Sequence, residues 1–180
     1  RTILDEGTEV IVPAPAYPGY VPIIEIFGGV PVYVDTISTD FVLTAELIEK
    51  HLTEKTRAVM LCSPANPVGT IIEGDELEKI AKLLKEKEIF VISDEIYSEL
   101  IFDKTHQSIA SYEGMRDKTI VVNGVSKSHS MTGWRIGFTL APAYISKEIT
   151  KVIAYFLSCE SSISQYAAIE ALSVGKDDPI

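Results

Sequence analysis

Positive charge is scarce in this chain: 16 lysines and arginines stand against 26 aspartates and glutamates, a formal net charge of −10. So acidic a protein is a poor match for the phosphate backbone of nucleic acids or for anionic membranes. Cysteine is scarce too. Cys62 and Cys159 lie in apolar segments without CxxC spacing, which predicts buried thiols in a reducing cytoplasm, not a disulfide framework. The three histidines, His51, His106 and His129, are too scattered to predict a metal site. There is no signal-peptide pattern and no apolar run of about 18 residues, so no membrane span is expected. Repeats, low-complexity stretches and linkers are missing as well. With 180 residues and 46% hydrophobic content, the chain can fill one core.

What is present is an alternation of short apolar runs and amphipathic stretches. Strands are expected at Thr8–Val12, Val30–Val34, Ala58–Cys62, Ile89–Ser93, Thr119–Val122 and Ile136–Leu140. Helical spacing falls between them. Val21 to Phe27 is closed by Gly28-Gly29, and Thr44 is a plausible N-cap for a helix through Leu52. The clearest helix carries Leu77, Ile80, Ala81 and Leu84 on one face. Ala143–Phe156 and Ser164–Val174 complete the helices, while Ser98–Met115 is irregular and suggests no chemistry. The pattern predicts an α/β fold with a mostly parallel sheet flanked by helices. The last strand pair could run either way. Residues 1–7 read as the last turn of a helix ending at Gly7, and Gly175 to Ile180 break off just after one. The expectation is a piece of a longer protein.

Open α/β sheets bind ligands beyond the carboxyl ends of their strands. Four predicted strands end in residues with chemistry to offer: Tyr17, Asn66, Asp94 and Lys127. Parallel strands would bring these ends to one edge. Lys127 is expected in a loop of small polar residues, after a strand that stops at Asn123-Gly124. An amine desolvated there could attack a carbonyl as the free base. Arg135, eight positions on, could hold a phosphate through paired hydrogen bonds. Together they could grip both ends of a phosphorylated aldehyde. Plainer readings exist for each: a loop lysine, a turn asparagine, a loop tyrosine, and a helix N-cap for Asp94.

The segment Gly124-Val-Ser-Lys-Ser-His-Ser-Met-Thr-Gly-Trp-Arg-Ile-Gly137 resembles the lysine signature of the class I/II aminotransferases, the fold-type I pyridoxal-phosphate enzymes. Tyr17-Pro-Gly-Tyr20, Asn66-Pro-Val-Gly69, Ser93-Asp-Glu-Ile-Tyr97 and Ser161-Ser-Ile-Ser-Gln165 extend the resemblance over essentially the whole chain. Within the family these segments look like the Bacillus-type aminotransferase A, which is similar in turn to the N-acetyl-diaminopimelate aminotransferases of lysine biosynthesis. The resemblance implies pyridoxal 5'-phosphate bound through an internal aldimine to Lys127, which also shuttles the substrate proton. It further implies Arg135 on the phosphate, Asp94 on the ring nitrogen, Asn66 and Tyr97 on the phenolic oxygen, and Tyr17 stacked on the ring. Many relatives carry a hydroxyl where this chain has Gly124, so Ser126 or a backbone NH would have to replace that phosphate donor.

By the same resemblance the reaction is transamination between an amino acid and a 2-oxo acid, in a cytoplasmic homodimer. Residues 1–180 would be part of the large cofactor-binding domain, without the N-terminal segment and the small C-terminal domain. Such a piece is expected to bind the cofactor weakly or not at all and to be inactive alone. Two other readings are a carbon–sulfur β-lyase on the same fold and the aminotransferase-like sensor domain of a transcription regulator.

Overall fold

A computed structural model describes residues 2–173. Strand β1 (Glu9–Ala14) leads through a proline-rich turn into α1 (Tyr20–Ile26), and β2 (Val30–Asp35) follows. Then come α2 (Ala45–His51), β3 (Thr56–Cys62), α3 (Gly74–Leu84) and β4 (Phe90–Asp94). After an irregular stretch, β5 (Thr119–Gly124) runs directly into the four-residue helix α4 (Val125–Ser128). Strand β6 (Gly137–Leu140) and helices α5 (Ala143–Phe156) and α6 (Ser162–Ser173) end the described chain. The six strands form one sheet in the order β2-β1-β3-β4-β5-β6. Every pairing is parallel except β5 with β6, which is antiparallel. A fold of the predicted class results, with the open question about the last pair settled.

Alternation along the strands divides the core in two. Ile11, Val59, Leu61 and Val91 face one side and pack with Ile48, Leu77, Ile80 and Leu84 from α2 and α3. Val10, Val12, Ala58 and Met60 face the other side, against Ile24 of α1 and Leu4. Helix α2 starts where predicted, because the Thr44 hydroxyl accepts a hydrogen bond from the Leu47 NH at 3.2 Å. Glu76 of α3 reaches across to accept from the Ala45 NH at 2.8 Å, so the two helices share a polar clasp beside their apolar seam.

Several expectations need correction. Residues 2–7 form bends and a turn, not the end of a helix; Gly7 does adopt a positive φ of 78°. The turn is tied down by Thr8 to Asp5 and by the Gly7 NH to the Gly28 carbonyl. Strand β5 runs two residues past its predicted stop, because Asn123 and Gly124 pair with Phe138 and Gly137. Lys127 therefore sits in a short helix rather than in a loop. Cys62 is buried but Cys159 is exposed. Predicted position Val174 lies outside the described residues.

The irregular stretch after β4 is not idle. Lys118 donates to the carbonyls of Leu84, Lys85 and Lys87 at 3.1, 2.7 and 2.6 Å, satisfying the open end of α3. Ile109 and Met115 plug the core beneath it. Upstream, Glu95 is a buried carboxylate that accepts from Ser93 at 2.9 Å, Ser108 at 2.6 Å and His106 at 2.9 Å. Burial pushes its carboxyl up, but the hydrogen bonds from His106, Ser108 and Ser93 and the pull of the His106 ring outweigh it. The net position is below the ordinary glutamate range. A carboxyl held lower in the folded than in the unfolded chain adds stability above its unfolded value, about pH 4.3, and loses it as pH falls through the folded value.

Two stability measurements follow from this packing. Urea unfolding compared between about pH 7 and about pH 3 should show Glu95→Gln losing less stability than the parent in the acid range; parallel curves would mean that the network carries no charge. Ile80→Ala, at a fully buried position, should cost about 2–5 kcal/mol at neutral pH.

Candidate active site

Parallel register sets Cys62 beside Asp94, and Asp94 beside Val122. The ends of β1, β3, β4 and β5 therefore share one edge of the sheet. Asp94 belongs to the strand face that carries Ile92, the side covered by α1. Its Oδ2 accepts from the Tyr20 hydroxyl at 2.6 Å, and its Oδ1 accepts from the Ile96 NH at 3.1 Å. No helix follows, so Asp94 is not a helix N-cap; its half-buried carboxylate closes a turn and holds the Tyr20 hydroxyl.

Tyr20 opens α1 and was given no function at the level of sequence. The available signal was its place three residues after Tyr17, where its ring could reach inward while its hydroxyl still required a partner. Burial first, then Cys62 and Asp94, hold the Tyr20 phenol well above its ordinary range, so it stays a donor. Burial also raises the Cys62 thiol, as does the Asp94 charge, against an opposing hydrogen bond with Tyr20. Cys62 Sγ donates to the Pro64 carbonyl at 3.3 Å. Tyr17, 48% exposed, stands edge-on to Tyr20 with ring centres 5.4 Å apart. Gly19 leaves space for that ring, since a Cβ there would collide with the Tyr17 side chain.

Asn66 and Tyr97 line one cleft of about 490 Å³, whose apolar wall is Leu100, Ile101 and Phe102. Asn66 lies in a turn closed by the Gly69 NH on the Ala65 carbonyl at 2.7 Å. Tyr97 lies in a hydrogen-bonded turn three residues after Asp94, because the Asp94 side chain, the Ser98 NH and the Leu100 NH close successive short loops there. The Lys127 Nζ stands 5.7 Å from the centre of the Tyr97 ring, a cation–π distance. Lys127 is half-buried, between Ser126 and Ser128.

Gly124 is buried where β5 and β6 come closest: a Cβ would lie 3.0 Å from both the Ile136 oxygen and the Gly137 Cα. The crowding accounts for a glycine at this position. Arg135 is exposed, with a φ of 52°, and its Nη1 donates to the Thr132 carbonyl at 2.9 Å in its own turn. The described contacts thus form two groups, Tyr17–Tyr20–Asp94 and Asn66–Tyr97–Lys127, and Arg135 joins neither. A roomier groove of about 1040 Å³ lies at the opposite edge, among Glu6, Lys55, Arg57 and Glu88. It contains none of these residues, and the convergent polar chemistry is elsewhere.

Residues 1–178 match the family model for aminotransferase class I and II. A probable N-acetyl-LL-diaminopimelate aminotransferase of Bacillus subtilis (strain 168) is 58% identical over 180 residues, which is 100% of this chain and 45% of that protein. An aspartate aminotransferase of Pyrococcus abyssi is 43% identical over 94% of this chain and 44% of its own length. Among solved structures, the aromatic aminotransferase from Pyrococcus horikoshii OT3 superposes with a TM-score of 0.92 at 42% identity, covering 96% of this chain and 47% of that one. The chain spans slightly under half the length of the relatives it matches. Across that span the shared sequence and the shared sheet agree, and the chain belongs to the aminotransferase class I and II family.

Proposed function

We propose that these residues form part of the large, cofactor-binding domain of an enzyme that transfers an amino group between an amino acid and a 2-oxo acid. The family is one of pyridoxal-phosphate enzymes, and the donor set fits that group. The observation that carries the reading is Asp94: a carboxylate held on two sides by Tyr20 and the Ile96 NH, on the same sheet edge as the Lys127 amine. Such a carboxylate suits a protonated ring nitrogen. When bound, the cofactor supplies an electron-withdrawing ring that stabilises negative charge left on the substrate Cα.

The residues of the chain divide the remaining work. Asp94 would keep the ring nitrogen charged, and Tyr20 would orient Asp94. Tyr17 would cover the ring face, while Asn66 and Tyr97 would donate to its phenolic oxygen. Lys127 Nζ would hold the cofactor at its aldehyde end and would be the base that takes the proton from the substrate Cα. Arg135 and Ser126 would hold the phosphate, with backbone NH groups near Gly124 in place of a hydroxyl there. Amino-acid and 2-oxo-acid substrates, a cytoplasmic setting and a homodimer belong to the same proposal for the whole protein. The lysine-biosynthetic name of the Bacillus subtilis relative points to a dicarboxylic or acylated amino acid as one substrate.

Borohydride reduction in excess pyridoxal phosphate tests the site directly, because trapping reports even weak binding. The label should fall on Lys127, be lost in Lys127→Ala, and drop about tenfold in Asp94→Asn, where one charge-assisted contact is removed. Label spread evenly over the surface lysines would overturn the assignment. Tyr20→Phe, which keeps the ring and deletes the donor, should lower unfolding stability by about 1.5 kcal/mol and reduce trapping at Lys127.

A further inference from the structure

Next to the pinned carboxylate of Asp94 stands a second one to which the proposed reaction assigns nothing. Glu95 directly follows β4, and its hydrogen bond with Ser93 sets its side chain on the face of Ser93, opposite to that of Asp94. It shares its side with Ser93, Ser108 and His106. Its side chain is 7% exposed. Oε1 accepts from Ser93 and Ser108, and Oε2 accepts from His106 Nε2 at 2.9 Å. Its main chain is engaged as well: the NH donates to the Val122 carbonyl at 2.9 Å, and the carbonyl accepts from the Ser98 NH at 2.9 Å. Every polar group of this residue has a partner.

Burying a carboxylate is costly unless it is paired, and apolar packing of similar size would serve stability as well or better. What a hydrophobe could not supply is direction. His106 and Ser108 belong to the irregular stretch between β4 and β5, which has little regular structure to place it and exposes Phe102 almost fully. Ser108 in turn caps the short turn at Ile109–Ser111, and Ile109 is buried in the core. Ile109, Met115 and Tyr112 anchor the later part of this stretch to the core and to α3; the carboxylate is what ties His106 and Ser108 to the end of a central strand. The turn so fixed begins at Asp94, carries Tyr97, and is braced on its far side by Asn123 Nδ2 to Ser98 Oγ at 3.3 Å.

We infer that Glu95 is a positioning residue: held by His106 and Ser108 on one face of the sheet, it locks the strand-end turn that presents Asp94 and Tyr97 on the other. The functional half of this inference rests on the cofactor reading of that edge; the mechanical half does not. It predicts a local effect. Loosening Glu95 should free residues 96–100 and 104–111 while leaving the inner strands intact.

Amide hydrogen exchange on the 180-residue chain without added cofactor, in the parent, Glu95→Gln, His106→Gln and Ser108→Ala, decides the mechanical half. Exchange at 96–100 and 104–111 should speed up about tenfold in the first two variants and less in Ser108→Ala, with β1 and β3 unchanged. Ser108→Ala keeps both the carboxylate and the imidazole and serves as the mild variant should the others fold poorly. Unchanged exchange in these segments, or an equal rise in β1 and β3, would overturn the lock. Borohydride trapping of pyridoxal phosphate at Lys127 then decides the functional half: Glu95→Gln should trap several-fold less. A loosened turn with undiminished trapping would reduce Glu95 to a structural residue and overturn its positioning function. If the label in the parent falls on surface lysines and spares Lys127, the cofactor reading falls while the exchange comparison still decides the lock.

Discussion

The hydrogen bond from Tyr20 to Asp94 joins residues 74 positions apart, and the geometry of the candidate site depends on it. It can form only because the crossover from β1 through α1 lies over the same face of the sheet on which β4 directs its last side chain. That placement comes from the core beneath. Ile24 packs with Val10, Val12, Ala58 and Met60, so α1 is fixed by apolar contact before any polar group meets its partner. The polar contact then selects one arrangement among those that the apolar packing allows. A carboxylate held from two directions has little freedom left, and preorganised charge is what a reaction developing charge on a bound ring requires.

The last residue of β4 and the one after it show how a strand end can serve both structure and chemistry. Asp94 and Glu95 are neighbours in sequence and face opposite sides of the sheet. One is half-buried and turned to the edge that carries the candidate site; the other is buried and saturated with donors. Among the described residues, no buried side-chain polar atom lacks a partner, so the polar network below the site is complete rather than open to a further ligand. A complete network is stiff, and a half-satisfied one would cost stability. Stiffness here is transmitted through the backbone of two residues, a short path that leaves little room for slack.

Where the sequence was legible, the reason was burial with a period. β3 is apolar from Ala58 to Cys62 because both of its faces are covered there, and α3 shows its four core positions because its other faces are wet. The capping threonine at position 44 was visible because caps act locally. Illegible features were those decided by partners far away in the chain. Nothing near Tyr20 announces a carboxylate 74 residues on. Nothing near Glu95 announces His106 or Ser108, so the stretch from Ser98 to Met115 looked chemically empty. The extra length of β5 depends on its antiparallel partner β6, and the helical setting of Lys127 follows directly from where that strand ends. Cys159 shows the opposite failure. An apolar neighbourhood in sequence did not bury it, because α5 and α6 expose Tyr155, Phe156 and Tyr166.

That contrast orders the candidate residues by how firmly they are held. The five parallel strands and the helices α1 to α3 make a core whose central side chains are fully covered, and Asp94, Tyr20 and Asn66 stand on it. β6 is exposed along its length, and α6 buries only Ser164 and Ala168 among its described residues although it is apolar nearly all round. A helix of that composition needs neighbours on several sides before its position is fixed. Arg135 lies between these two elements, anchored through its own turn and through Ser164 to the Trp134 carbonyl at 2.8 Å. Lys127 occupies the boundary, at the end of a well-packed strand but beside that loosely covered turn. The amine and the carboxylate therefore owe their shared sheet edge to the parallel core, whereas the guanidinium owes its place to elements that this core does not fix.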